Sequence, residues 1–221
     1  MKFKALIFDL DGTIADNGNL WKNATKNLLT ERGIEVSDQE IEELDKKLCG
    51  IGMFGSCSFL KKTFDLQDPV EKLMLEKKGR ASRLYAQNLR FIPGFAQFYK
   101  KVVAHNLKTA VATSSARENL LTAKKELKLD RFFGAHIYDI ALVGNRAKPD
   151  PAIYLYAAEK IGVAPHDCFA IEDSPVGITA AQQAGIFCIG INTAGIPRAI
   201  QHADLVINSY DEIDLEKLLK G

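Results

Sequence analysis

Apolar positions along the chain follow two rhythms. Short unbroken runs bounded by turn residues recur at 3–8 (FKALIF), 107–113 (LKTAVAT), 168–172 (CFAIE), 187–192 (FCIGIN) and 204–208 (DLVIN), with a weaker one at 135–140 (AHIYDI). Their length and their wealth of β-branched residues predict strands buried on both faces. Between them, 116–127, 151–162 and 175–185 carry apolar residues at helical spacing. Asp150 before Pro151 and Ser174 before Pro175 read as an N-cap followed by proline at the first helical position, and Gly162 and Gly185 read as stops. Strand and helix in alternation predict an α/β fold, a parallel sheet with helices on both faces.

The alternation breaks between Asp16 and Ile92. Residues 19–33, 37–48 and 68–89 read as charged, amphipathic helices, with no strand among them. A helical insertion (16–92) in a core built from 1–15 and 93–221 describes this pattern, with hinges near Asp16-Asn17-Gly18 and Pro93-Gly94. Gly50-Ile51-Gly52-Met53-Phe54-Gly55 matches the dinucleotide fingerprint GxGxxG. That mechanism needs a strand before the turn and a helix after it, so that pyrophosphate meets the helix N-terminus. Here the preceding residues, EIEELDKKLC, have helical spacing, so the stretch reads as a loop between insert helices.

Composition narrows the function classes. The chain has 221 residues, 47% hydrophobic and 26% charged, with a formal net charge of +1. One or two globular domains follow, and near-neutrality gives no pull toward nucleic acid or an anionic membrane. No apolar run reaches bilayer length, and Met1-Lys2 leads into a strand-like run without signal-peptide features. Cys49, Cys57, Cys168 and Cys188 form no CxxC pair, which reads as free thiols in a reducing compartment. A cytoplasmic protein, monomeric or weakly dimeric, is the expectation.

Ligands of open parallel sheets bind outside the carboxyl ends of the strands, so the polar residues at those ends are the candidates. Asp9 and Asp11 close the first run; Thr113, Ser114 and Ser115 close the second; Glu172 and Asp173 close CFAIE; Lys148 precedes the helix at Pro151. Each carboxylate pair at about 4 Å repels by roughly 4 kcal/mol at an effective dielectric near 20. A hard divalent cation such as Mg2+ relieves this and commonly keeps a substrate phosphate among its ligands. Hydroxyls and N–H groups ahead of a helix bind anions, and Lys148 adds a point charge. Asp9 and Asp11 share a face if the strand persists that far; one then suits attack on phosphorus, the other the leaving group's proton. Taken singly, these residues have ordinary uses: a DxD turn, a Thr-Ser-Ser N-cap cluster, a Lys-Pro loop, a capping Glu-Asp-Ser-Pro. Their joint placement at successive ends of one sheet points to phosphoryl-transfer chemistry.

FDLDGTIAD, VATSS, KPDPAIYLYAAEKIGV and FAIEDSPVGITAAQQAGI also resemble the haloacid dehalogenase-like (HAD) hydrolases, in the helical-cap branch that includes β-phosphoglucomutase, phosphoglycolate phosphatase and sugar-phosphate phosphatases. The resemblance covers nearly the whole chain and is thinnest in the insertion. It implies a Rossmann-like parallel-sheet core with an inserted α-helical cap. Asp9 is then the nucleophile, and Asp11 the general acid/base whose backbone carbonyl also reaches Mg2+. Thr113 holds the phosphoryl with the Ser114 N–H and Ser115, Lys148 bridges the phosphoryl and Asp9, Asp173 ligates the metal, and Glu172 holds a metal-bound water. The acid at position 11 argues against dehalogenation, which has no leaving-group proton to manage. The resemblance thus implies a Mg2+-dependent phosphomonoester hydrolase acting on a sugar phosphate through an aspartyl-phosphate. Its mutases place an arginine in a cap pattern Leu-x-Gly-x-x-Arg, where this chain has Met53, and a histidine where it has Trp21. Lys61 and Lys62 read as an exposed helix face, and Ala152, replacing a common acid, affects capping only. His105, His136, His166 and His202 cluster with none of these motifs. A sugar-phosphate mutase and a non-catalytic sugar-phosphate-binding regulator are the competing readings.

Overall fold

The computed structural model describes residues 3–16, 20–48, 51–195 and 200–220. In chain order its elements begin with β1 (Ala5–Phe8), β2 (Ala15–Asp16) and the helices α1 (Leu20–Thr30), α2 (Asp38–Leu48), α3 (Gly52–Thr63) and α4 (Val70–Asn88). Next come β3 (Arg90–Phe91), α5 (Phe95–Ala104), β4 (Lys108–Thr113), α6 (Arg117–Glu126), α7 (Asp130–Phe133) and β5 (Ile137–Asp139). The chain then forms α8 (Ala152–Ile161), β6 (Cys168–Glu172), α9 (Pro175–Gln183), β7 (Phe187–Ile191), β8 (Leu205–Ile207) and α10 (Leu215–Lys220). Two compact units result, one of Met1–Asp16 with Leu89–Gly221, the other of Asn17–Asn88.

The first unit is built on a six-stranded sheet in the order β5-β4-β1-β6-β7-β8, every pairing parallel. The predicted α/β architecture is therefore the one observed. β1 is central, and the chain steps outward from it in both directions, so the switch point lies at the carboxyl end of β1, between β4 and β6. Side-chain alternation divides β1 between two cores. Ala5 and Ile7 join alanines of β4, Cys168 and Ala170 of β6, and the buried faces of α8 and α9. Phe8 turns to the opposite layer, where Phe95 and Phe98 of α5 and Phe133 of α7 meet its ring edge-on at 5.6–6.5 Å between centroids. Ser174 caps α9 by accepting the Gly177 N–H, with Pro175 next. Asp150 accepts the Ala152 N–H and Gly162 ends α8 at a positive φ. The segment between Asp16 and Ile92 is not strand-free as read: β2 and β3 pair antiparallel over two residues each, and Arg90 bonds Asp16 at 2.7 Å. Two residues carry no readable period. The helix α5 was likewise not anticipated.

The second unit is helical. Leu20, Ala24 and Leu28 of α1, Ile41, Leu44 and Leu48 of α2, and Cys57 and Leu60 of α3 face inward at the spacing of amphipathic helices. The fingerprint-like stretch is not the loop expected: Gly52–Gly55 form the first turn of α3, while Cys49 and Gly50, like Asn17 and Gly18 of the expected hinge, lie outside the described residues. Lys61 differs too. Its ammonium donates to the carbonyls of Leu66 and Asp68 at 2.7 and 2.8 Å, tying down the turn after α3. Arg32 bridges Asp68 and Glu76, and Arg80 bonds Glu76 and Glu31. Cys57, Cys168 and Cys188 are buried free thiols. Among the described residues no helix is long and apolar enough to cross a membrane.

Candidate active site

Three strand ends and one loop of the sheet unit bring the candidate residues together. β1 stops at Phe8, one residue short of Asp9, whose N–H still donates to the Ile171 carbonyl at 3.0 Å. Strand alternation therefore does not carry on to Asp11, as expected of a longer strand. Instead the chain turns sharply: the Leu10 carbonyl accepts N–H bonds from Thr13, Ile14 and Ala15, and Gly12 sits at φ +80°. A Cβ on Gly12 would stand 2.0 Å from an Asp173 carboxylate oxygen, so only glycine allows this approach. The Thr193 hydroxyl donates to the Gly12 carbonyl at 2.6 Å and pins the turn from the other side.

Residues of β6 alternate so that Cys168, Ala170 and Glu172 face α8 and α9. Glu172 is fully buried. Its Oε1 accepts from the Lys148 ammonium at 2.5 Å and from the Tyr154 hydroxyl, and its Oε2 from the Ser174 hydroxyl at 3.3 Å. A Cβ on Gly177 would fall 2.0–2.2 Å from this carboxylate; a glycine in the first turn of α9 is the room it needs. Lys148 also donates to Asp9 at 2.5 Å and to the Ala112 carbonyl at 2.9 Å, with 3% of its side chain exposed. Burial alone would lower the ammonium's pKa, but Asp9 and Glu172 outweigh it and raise it.

Oxygens of Asp9, Glu172 and Asp173 lie within 4.8 Å of one another. Burial pushes the Asp9 carboxyl well above the usual range; Lys148 pulls the other way, and Glu172 and Asp173 add to the rise. Asp173 is raised to about 7 by burial first, then Glu172, against Lys148, with Asp11 adding. One ammonium does not neutralise this many acids. An all-oxygen donor set with this surplus of negative charge fits a hard divalent cation.

The hydroxyl cluster takes its place beside these groups. Thr113, 1% exposed, ends β4 and accepts the Ser115 N–H at 2.9 Å, leaving its own hydroxyl hydrogen to donate. The Ser114 hydroxyl accepts the Lys148 N–H at 3.2 Å. α6 starts at Arg117 with Ala116 as its N-cap and no side-chain cap bond, so the Thr-Ser-Ser cluster is not the helix cap it resembles. Direct bonds join Asp9, Lys148 and Glu172; Asp173 shares their oxygen cluster. Ser114 bonds Lys148 directly, while Thr113, with Ser115 bonded to it, follows Ala112, whose carbonyl the ammonium also meets. Asp11 enters through its field on Asp173. Sequence reading missed Gly12, Tyr154, Ser174, Gly177 and Thr193 as parts of the site. Gly177 alone left a signal, a helix-disfavouring residue in a first turn.

An α/β unit with acids, hydroxyls and a lysine at the switch point defines a phosphoryl-transfer class of site. Residues 6–191 match the haloacid dehalogenase-like hydrolase family, and the chain belongs to it, as its motifs led us to expect. Among its relatives, a β-phosphoglucomutase of Bacillus subtilis is 30% identical over 220 residues, covering 97% of this chain and 93% of that one. A phosphorylated carbohydrates phosphatase of Thermotoga maritima is 27% identical over 186 residues, covering 83% and 82%. A HAD family hydrolase from Deinococcus radiodurans, solved with bound phosphate and sodium, superposes with a TM-score of 0.78 at 27% identity, covering 96% of this chain and 93% of that one.

Proposed function

We propose that the protein is a Mg2+-dependent phosphomonoester hydrolase of a small phosphorylated metabolite, a sugar phosphate, working through an aspartyl-phosphate. The observation that carries this is the ammonium of Lys148 held jointly by Asp9 and Glu172 at 2.5 Å each, with Asp173 in the same oxygen cluster. Asp9 attacks phosphorus in line; the ion pair holds its carboxylate at a fixed angle, and Lys148 keeps enough positive character to draw in the phosphoryl oxygens. The Thr113 hydroxyl, the Ser114 N–H and Ser115 bind those oxygens. Asp11 protonates the departing alcohol and then takes a proton from the water that hydrolyses the aspartyl-phosphate. Asp9, the Asp11 carbonyl and Asp173 would hold the Mg2+, with Glu172 acting through a water. When bound, the ion neutralises the carboxylates and the phosphoryl charge that builds up in the transition state. The helical unit serves in this reading as the cap that selects the substrate.

Phosphate release over a panel of sugar phosphates, phosphoglycolate and nucleotides, with Mg2+ and with chelator, tests the reading; no Mg2+-dependent release from any of them would sink it. The mutase reading draws support from the Bacillus subtilis relative. Against it, Met53 packs on the helical unit's own apolar core with its sulfur 4.0 Å from that of Cys57, and offers no charge-assisted contact to a second phosphate. Isomerised product outpacing phosphate release, with a bisphosphate primer present, would reverse this choice.

A further inference from the structure

One buried group at the site has no part in the steps above: the phenol of Tyr154. It lies on α8, six residues after Lys148, and is fully buried. The turn between the two is fixed by Asp150, which accepts the Ala152 N–H at 2.8 Å. Beneath the helix, β4 presents Ala110 and Ala112 and β1 presents Ala5, all in the same packed cluster. Side chains this small let α8 lie close to the sheet and carry a tyrosine to the strand ends. There the hydroxyl donates to Oε1 of Glu172, and the Lys148 ammonium stands 4.9 Å from the centroid of the ring.

We propose that Tyr154 is a positioning residue for the metal half of the site: its hydroxyl fixes the rotation of the Glu172 carboxylate, while its ring holds Lys148 in place. Two donors converge on Oε1, from Lys148 and Tyr154, whereas Oε2 receives one longer bond from Ser174 at 3.3 Å. The plane of the carboxylate is thereby fixed, with two short bonds on Oε1 and one longer bond on Oε2, in a residue that shares the oxygen cluster of Asp9 and Asp173. Gly177 leaves the space in which this rotamer fits. Without the hydroxyl, Lys148 is the sole strong partner of Oε1, and the plane of the carboxylate is free to turn away from this angle. Groups that orient metal-site carboxylates typically change metal affinity by 10–100-fold when removed. The inference rests on the phosphatase reading for the identity of the site, and on the Tyr154 geometry for itself.

The test is Tyr154→Phe, which keeps the ring and its packing, compared with Tyr154→Leu, which loses both functions. Mn2+ binding to the metal-free protein, followed by the loss of its free-ion EPR signal, should weaken about tenfold in Tyr154→Phe. Vanadate binding and the KM for a phosphate ester at saturating Mg2+ should stay within about twofold, because Lys148 keeps its ring contact. Tyr154→Leu should weaken both Mn2+ and vanadate. Thermal melts of the variants separate loss of folding from loss of orientation; if Tyr154→Leu does not fold, the Phe variant alone decides. Mn2+ affinity of Tyr154→Phe within twofold of the parent would overturn the proposal, as would an equal loss of Mn2+ and vanadate binding in that variant. A parent protein that neither binds Mn2+ nor hydrolyses any ester would instead overturn the phosphatase reading, so the two failures are distinct.

Discussion

Each of the two units buries a lysine, and the two lysines behave in opposite ways. In the sheet unit, Lys148 meets two carboxylates and a carbonyl, and its pKa rises in spite of burial. In the helical unit, Lys77 is 3% exposed and donates to the neutral hydroxyl of Ser56 at 2.6 Å. Burial pulls its pKa down, and the weaker fields of Cys57 and Asp45 do not restore it. A buried cation is held in place only when its partners are ionic and well placed. One lysine is thus part of a charge network converging on the strand ends; the other is a polar group accommodated inside a helical packing. The difference follows from architecture, since a parallel sheet delivers several strand ends to one line, whereas packed helices expose no such line.

The most severe way to break this comparison is to remove the chemistry. Asp9→Asn should lower phosphate release by at least about a thousandfold while the melting temperature stays near the parent's; near-normal turnover would end the assignment of the nucleophile. Lys148→Met leaves Asp9 and Glu172 buried without their cation and should cost about 3–5 kcal/mol in denaturant unfolding. Lys77→Met, the matched change in the other unit, should alter stability by about 1 kcal/mol or less. Equal losses from the two lysine variants would erase the contrast. The glycines sharpen it further. Gly177→Ala drives a Cβ into the Glu172 carboxylate and should destabilise by about 1–3 kcal/mol, while Gly79→Ala in the middle of α4, where a Cβ meets nothing within 4 Å, should stabilise by about 0.5–1 kcal/mol.

A further effect is one of pH. Asp173 has a folded pKa of about 7 against an unfolded value near 3.9, so between these limits the folded, metal-free protein holds more protons than the unfolded chain. Stability must then fall as pH rises through this window. The carboxyl of Asp9, raised as well, acts in the same direction. Melts in chelator should give a lower melting temperature at pH 7.5 than at pH 5, and Mg2+ should raise it more at pH 7.5. A chelated protein that gains stability across this range would contradict the electrostatics described for the site.

Much of the sheet unit was legible because its rules are local. FKALIF and CFAIE announce buried strands by length and branching, Ser174-Pro175 announces a helix start, and the carboxylates that close those two runs mark a candidate site by their incongruity. Other features depended on approach between distant parts of the chain. The closeness of Gly12 to Asp173, the reach of Tyr154 to Glu172, and the pairing of Lys77 with Ser56 involve residues far apart in sequence or on separate elements, and no periodicity encodes them. In the helical unit the amphipathic spacing gave α1, α2 and α4, but α3 begins in a glycine-rich stretch whose low helix propensity hid it.

Local pattern alone determined the class of fold and the candidate residue types, because apolar periodicity and strand-end acids are properties of a few consecutive positions; the family rested on the resemblance of whole motifs. Tertiary structure decided how those residues are held. Strand parity turned Glu172 toward α8, glycines opened the space for two carboxylates, and a single lysine was placed among more acids than it can neutralise. These are consequences of packing and long-range electrostatics, which depend on distances that exist only in the folded chain.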